Sequence, residues 1–411
     1  MEQGDLKKLF SLPVIVAALG YFVDIYDLLL FSIVRVTSLK SLNVVTEQDL
    51  LSKGIFLINA QMVGLLIGGI LWGIMGDKRG RLSVLFGSIL LYSLANIANG
   101  FVTTVDQYAF LRFIAGIGLA GELGAGITLV SEVLPTRLRG YGTTIVASVG
   151  LFGAVAANLV AHVVKDNWQI AYFIGGGLGL ALLITRISVL ESGIFLKVKE
   201  EIPDRGNFVK LFTNRDRLSR FLSCIFIGLP IWFVIGILIT FSPEFAREIG
   251  FTGNVVAGNA VMVSYLGLVG GDITSGLLSQ YVKSRKKIVL WFILLTVAFI
   301  LLYLFAPVKS LSFFYVCTFL LGFGVGYWAL FVTIAAEQFG TNLRSTVATT
   351  VPNFIRGTVL PLTLAFQLLA QYTGLIYSAL IVGVCTIIVA LVALRTLRET
   401  FGRDLTFLEQ G

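Results

Sequence analysis

Long apolar runs separated by short polar turns repeat from one end of the chain to the other. A run of about 18 residues or more is long enough to cross a bilayer as a helix. Twelve such spans are predicted, at 11–34, 54–75, 82–101, 107–134, 140–163, 168–190, 218–243, 254–281, 287–306, 311–337, 343–371 and 373–397. A membrane barrel would instead show alternating segments of about 10 residues. The expected fold class is therefore an all-α membrane protein with twelve transmembrane helices. The longest polar stretch, 191–217, divides the spans into two sets of six. It predicts an N-terminal six-helix bundle over 1–190, a linker over 191–217 and a C-terminal bundle over 218–411.

Composition agrees with this class. Hydrophobic residues make up 56% of the chain, mean hydropathy is +0.90 and only 13% of residues are charged, against about 25% in a soluble domain. The net charge of +8 does not indicate nucleic acid, because the basic residues collect in alternate connections. Lys78, Arg79, Arg81, Arg137, Arg139, Lys210, Arg217, Lys283, Arg285, Arg344 and Arg398 fall on one side of the predicted topology. By the positive-inside rule that side is cytoplasmic. Both termini are expected there, in a multi-pass protein of the inner (plasma) membrane. The first apolar stretch is too long, and carries too many acids, for a cleavable signal. Cys224, Cys317 and Cys385 lie in apolar segments without metal-ligand spacing and read as small core residues. No metal and no cofactor is expected.

The two sets of six echo each other at an offset of about 205 residues, as in internally duplicated transporters. Glu132-x-x-Pro135-Thr136-x-x-Arg139 closes span 4, and Glu337-x-x-Gly340-Thr341-x-x-Arg344 closes span 10. The turn between spans 2 and 3 reads Gly73-x-x-Gly76-Asp77-x-x-Gly80-Arg81. Its glycines let the chain reverse without a Cβ penalty. The turn resembles the loop between helices 2 and 3 of the major facilitator superfamily, and two parallel repeats of six helices are that family's fold. A phosphate-binding glycine loop is excluded, since no strand precedes the run. Within the superfamily the chain resembles the metabolite:proton symporters. Gly20-x-x-x-Asp24-x-x-Asp27 is similar to their span-1 pattern, with a tryptophan missing. Arg112-Phe113-x-x-Gly116-x-Gly118-x-x-Gly121-Glu122 is similar to their span 4. Trp168…Arg186…Glu191-Ser192-Gly193-x-Phe195 is similar to their span 6, with Gly193 in place of proline. Sugar and phosphate porters are the next relatives.

Ionisable groups inside a span are costly, roughly 2.5–3.5 kcal/mol at the helix centre on insertion scales, and are functional candidates by default. Asp24 and Asp27, spaced i,i+3, share a helix face. Asp27 is the first candidate for the proton carrier, followed by Asp24 and Glu122. The resemblance to sugar porters implies that Arg112 forms a gating ion pair with Asp27; the alternative is an arginine that snorkels to the headgroups. Arg356, within Pro352-Asn353-x-x-Arg356-Gly357, offers a planar fork of donors suited to carboxylate or phosphate. It is the leading substrate-binding candidate, together with Asn353, Glu122, Tyr26, Tyr327 and Trp328. Tyr21, Trp232 and Tyr265 are further cavity candidates, Asp272 is a weaker site candidate and Arg35 is placed at the outer mouth. His162 reads as an interfacial anchor or a proton relay. Gly76, Asp77, Gly80, Arg81, Glu132, Arg139, Glu337 and Arg344 are expected to gate the inner face through charge pairs between the halves.

These expectations describe a secondary active transporter, not an enzyme. A single histidine and no metal-like spacing leave little for chemistry, and no ATP-binding motif is present. The reading is proton-coupled uptake, by a monomer, of a small polar metabolite bearing a carboxylate: an organic acid, an amino acid or a zwitterionic osmolyte. The alternatives are a sugar or phosphate-compound porter and a proton-antiport drug efflux carrier. The partners are the substrate, protons and the lipid bilayer.

Overall fold

The computed structural model describes residues 5, 8–79, 81–191, 208–402 and 409. The described residues are helical throughout their regular elements. In the first half α1 (Leu12–Ser41), α2 (Glu47–Arg79), α3 (Arg81–Asn99), α4 (Val105–Leu119), α5 (Glu122–Val133), α6 (Thr136–Val164) and α7 (Trp168–Glu191) form six passes, with α4 and α5 sharing one. A short α8 (Lys210–Thr213) precedes the second half. There α9 (Arg215–Phe226), α10 (Leu229–Phe233) and a π-helical turn (Val234–Ile239) form one pass, capped by α11 (Ser242–Ile249). Next come α12 (Ala257–Val282), α13 (Arg285–Leu304), α14 (Leu311–Gly324), α15 (Trp328–Glu337), α16 (Thr341–Gly357) and α17 (Val359–Thr396). Helices α14 and α15 share a pass. Gly374, at φ 76° and ψ 171°, breaks α17 into two arms; the first arm continues the pass of α16, which brings the passes of this half to six. The face with the linker is called the linker face below, and the other the far face.

Helix boundaries exceed the apolar runs where the polar ends continue the hydrogen-bond ladder. α1 runs to Ser41 and stops where Asn43 takes φ 64°. α2 starts at Glu47 because the Thr46 hydroxyl accepts from Asp49 N at 3.1 Å and caps the first turn. The fourth predicted span of each set is broken, 107–134 at Ala120-Gly121 and 311–337 at Val325–Tyr327. The breaks stand at the same offset in the two repeats.

Apolar burial does not drive helices together in lipid, so close packing must. The glycines supply it twice over. In the first half, a Cβ on Gly64 or Gly68 of α2 would strike the main chain of Phe113 or Ile117 in α4, and one on Gly116 would strike Gln61 O. In the second half, Gly267 and Gly271 of α12 meet the main chain of Phe319 and Phe323 in α14, and Gly322 meets that of Ser264. Each seam is thus a reciprocal contact of two backbones. Between the halves, α16 packs on α2, and α12 packs on α6.

These seams predict a contrast. Gly68→Ala would place its Cβ 2.8 Å from Ile117 Cα and should destabilise the protein by about 1–3 kcal/mol through overpacking. Gly177→Ala meets nothing within 4 Å and should melt at or above the wild-type temperature. Thermal unfolding in detergent distinguishes the two.

Candidate functional site

Charged side chains buried between the helices define the site, and their partners differ. Arg356 on α16 is 1% exposed and Asp24 on α1 is fully buried. Their closest approach, Nη2 to Oδ2, is 3.6 Å, an ion pair too long for a hydrogen bond. This pair joins the two halves. The guanidinium lies 5.8 Å from the ring centroids of Trp232 and of Trp328, within cation–π range. The two indoles meet edge to face, with centroids 6.4 Å apart. Tyr21 and Tyr265 lie within electrostatic reach of the same guanidinium. Arg356 Nε and Nη1, Trp232 Nε1 and both Asp24 oxygens have no hydrogen-bond partner among the described residues. Buried polar groups are normally satisfied. A box with three open donors and two open acceptors is therefore equipped for a ligand carrying a carboxylate and a flat or apolar body.

Asp272 on α12 supports one wall of the box. Its Oδ1 accepts from Ala329 N at 3.0 Å, at the first turn of α15, where the main-chain donors are otherwise free. The carboxylate thus caps the helix that begins with Trp328.

The second charged group lies within the first half. Glu122 on α5 and Arg186 on α7 form a two-pronged pair, both bonds at 2.9 Å. Gly20 on α1 covers it: a Cβ there would run into Arg186 Nη2 and lie 2.8 Å from Glu122 Oε2. Glu122 is therefore bound to a partner within its own half, and its charge lies within electrostatic reach of Asp24 in the Arg356 box. The span-6 arginine was legible as part of a family pattern, but its partner was not.

Asp27 is fully buried and its carboxylate has no full hydrogen bond among the described residues. The Asp27–Arg112 pair implied by resemblance is not closed in this structure. Arg112 donates to Gln61 Oε1 and, at 3.4 Å, to the main-chain oxygen of Asp27. Nor does Arg112 snorkel; it is fully buried and lies over the rings of Phe31 and Tyr172.

Several predicted substrate contacts have other work. Tyr26 donates to Ala171 O at 2.9 Å within the first half, and Tyr327 donates to Ile227 O at 3.0 Å within the second. Both are packing residues with committed hydroxyls. Asn353 donates to Ala120 O at 2.8 Å, across the interface and onto the break in span 4, and to Thr349 O at 2.9 Å. Its amide tethers the halves on the linker side of the box. Of the six predicted contacts, Arg356 and Trp328 meet in the box. Trp232, a further cavity candidate, joins them.

The far side of the box is closed by a group that sequence reasoning placed only at a mouth. Arg35 on α1 is fully buried and donates from Nη2 to both carboxylate oxygens of Glu244 on α11, at 2.6 and 2.9 Å. It also donates to Leu50 O at 3.2 Å and lies 4.8 Å above the Phe241 ring. Arg247 pairs with Glu47 at the surface beside it. The only sequence signal was an arginine late in an apolar helix and an acid just after Ser242-Pro243.

On the linker face, Glu337 pairs with Arg285 at 2.7 Å, and Arg344 donates to Ala336 O and Phe339 O. These bonds lie within the second half, not between halves, because α13 starts beside the end of α15. Gly80 and the side chains of Asp77, Arg81, Glu132 and Arg139 lie outside the described residues, and Gly76 is described only as part of α2. His162 is exposed near the end of α6.

Breaking the Glu122–Arg186 fork should expose its structural weight. Glu122→Gln leaves a buried guanidinium uncompensated and should cost about 3–5 kcal/mol. The double variant Glu122→Gln, Arg186→Met should recover part of that loss. Thermal unfolding of the three proteins in detergent measures both changes.

Comparison with known proteins places this geometry. The sialic acid transporter of Escherichia coli (strain K12) is 27% identical over 352 residues, which cover 82% of this chain and 80% of that protein. The niacin transporter of Acinetobacter baylyi (strain ATCC 33305 / BD413 / ADP1) is 30% identical over 190 residues, 46% of this chain and 40% of that one. Among solved structures, that of a proton:xylose symporter superposes with a TM-score of 0.71 at 17% identity, covering 98% of both chains. Residues 17–354 match the Major Facilitator Superfamily. The chain belongs to that superfamily and is a multi-pass membrane transporter, not an enzyme.

Proposed function

We propose that the protein takes up a small carboxylate-bearing metabolite together with a proton, by alternating access. Its linker face and termini are cytoplasmic in this reading. The two halves, 1–190 and 218–411, rock about the Arg356 box, joined by the 191–217 linker. The carrying observation is Arg356: a buried guanidinium with two open donors between two indoles, only loosely held by Asp24. A carboxylate takes a guanidinium fork through parallel hydrogen bonds, and the indoles suit a ring or apolar body beside it. Sialic acid and niacin, named for two relatives, are both small carboxylic acids. The box is complete within one chain, so the proposed working unit is a monomer.

Charge balance supports a proton partner. Arg112, Arg186 and Arg356 face Asp24, Asp27 and Glu122, all nearly or fully buried, while Asp272 is held by the amino end of α15. A substrate carboxylate adds a negative charge without a further cation. Uptake of one proton restores the balance in a layer where net charge is costly. Asp27, buried and without a full hydrogen bond, is the proposed carrier. Asp24 is its second, released from Arg356 as the substrate arrives. Drug efflux is disfavoured, because its cavities favour apolar cargo with few fixed cations.

Arg356→Lys should still bind poorly, since an ammonium cannot reproduce two parallel hydrogen bonds. Loss of the charge-assisted bond costs roughly 1.5–3 kcal/mol, about 10- to 150-fold in affinity. In Arg356→Ala, uncharged analogues should lose their disadvantage against the acid. Equal loss for charged and uncharged analogues in a binding assay would make Arg356 a packing residue. Asp27→Asn should abolish uphill accumulation in proteoliposomes while substrate exchange survives, since exchange moves no net proton. Persistent uphill uptake with unchanged pH dependence would move the role to Asp24 or Glu122.

A further inference from the structure

One face of α3 carries polar side chains that the site does not use. Ser88, Tyr92, Asn96 and Asn99 recur every three or four residues, with Ser93 beside them, and all five are fully buried. They face inward between α1, α4 and α7, away from the interface between the halves. Tyr92 Oη, Ser93 Oγ and both amide atoms of Asn96 and of Asn99 have no hydrogen-bond partner among the described residues. Asn96 faces the Asp27 carboxylate at the limit of hydrogen-bond reach.

The opposing helix comes close to them through glycines. A Cβ on Gly175 of α7 would land on Asp27 Oδ1, and one on Gly179 would land on Ser93 Oγ. At both positions main chain, which brings no side-chain hydrogen-bond partner, stands against the polar atoms. So many unsatisfied groups in one stripe are not stable dry; each would cost about 1–3 kcal/mol. Buried water with two to four polar partners is the ordinary solution. At one end of the stripe, Asn99 is the last residue of α3, on the far face. At the other, Ser88 Oγ lies 3.5 Å from Glu122 Oε1, whose carboxylate is already taken by Arg186.

We propose that this stripe is a hydrated track inside the first half. It delivers protons from the far face to Asp27 by a route separate from the substrate opening. Water relays a proton past Asn99 and Asn96, and the Asp27 carboxylate accepts it. The track ends at the Glu122–Arg186 pair, where a fixed guanidinium repels a proton, so it does not leak across the membrane. Other charged or titratable groups near Asp27 are Asp24 and Tyr26 on α1, Arg112 on α4, Tyr92 on α3 and Tyr172 on α7. The route remains open while Arg35–Glu244 closes the far side of the box. The delivery role rests on Asp27 as the proton carrier; the presence of water does not.

Two measurements test it. Hydroxyl-radical labelling of the purified protein reads bound water directly. Tyr92 should be oxidised faster than Tyr327 and Tyr303, which are equally buried but bonded to main-chain oxygens. Tyr92 no more reactive than these two would overturn the track. In proteoliposomes loaded with benzoate or niacin as probe acids, Asn96→Leu should slow uptake driven by a pH gradient on the order of 10²-fold, the scale of positioned proton transfer. Counterflow exchange should hold, and Asn96→Ser, which keeps a polar group and room for water, should restore gradient-driven uptake. Equal loss of uptake and exchange, or no loss of either, would overturn the delivery role. If wild-type uptake ignores the pH gradient while Tyr92 is labelled, proton coupling and delivery both fail and the water track stands.

Discussion

A full charge in the hydrocarbon layer is costly unless a partner or water meets it. That constraint sorts the buried arginines. Arg186 is held by both oxygens of Glu122, under a glycine that admits nothing larger. Arg35 has a carboxylate, a main-chain oxygen and an aromatic face. Arg356 has a carboxylate at 3.6 Å and two indoles, with donors left over. The first arrangement is finished and rigid. The last is incomplete, and a buried donor without a partner calls for one, from a ligand or from water.

The duplication supplies the frame for this difference. Reciprocal glycine seams join α2 to α4 and α12 to α14, and each repeat breaks its fourth pass at the same offset. At those breaks the side chains have diverged. Glu122 stands at the first and binds Arg186; Tyr327 stands at the second and binds Ile227 O. The first half thereby holds most of the ionisable chemistry. The second contributes Arg356 and the aromatic walls.

The box lies between two contacts that bridge the halves, Arg35–Glu244 on the far side and Asn353–Ala120 on the linker side. Opening toward either face requires one of them to part while the other holds. The two differ in strength, a buried ion pair against a single amide hydrogen bond. Occupation of the box therefore acts on an interface already uneven.

The class, the passes, the duplication and the ionisable residues were legible in the sequence because they depend on local chemistry. An apolar run of membrane length has few alternatives to a helix, and a carboxylate within it is visible wherever it points. The two helix breaks were not, because a glycine-rich apolar run reads as one span whether or not its ladder is interrupted. Partner choice was hidden for the same kind of reason. Arg112 to Gln61, Glu122 to Arg186 and Arg35 to Glu244 join residues 51, 64 and 209 positions apart. Such distances in sequence carry no register. Only the packing of helices on glycine seams decides which side chains come within hydrogen-bond reach, and so which charges are satisfied and which are left open to a ligand or a proton.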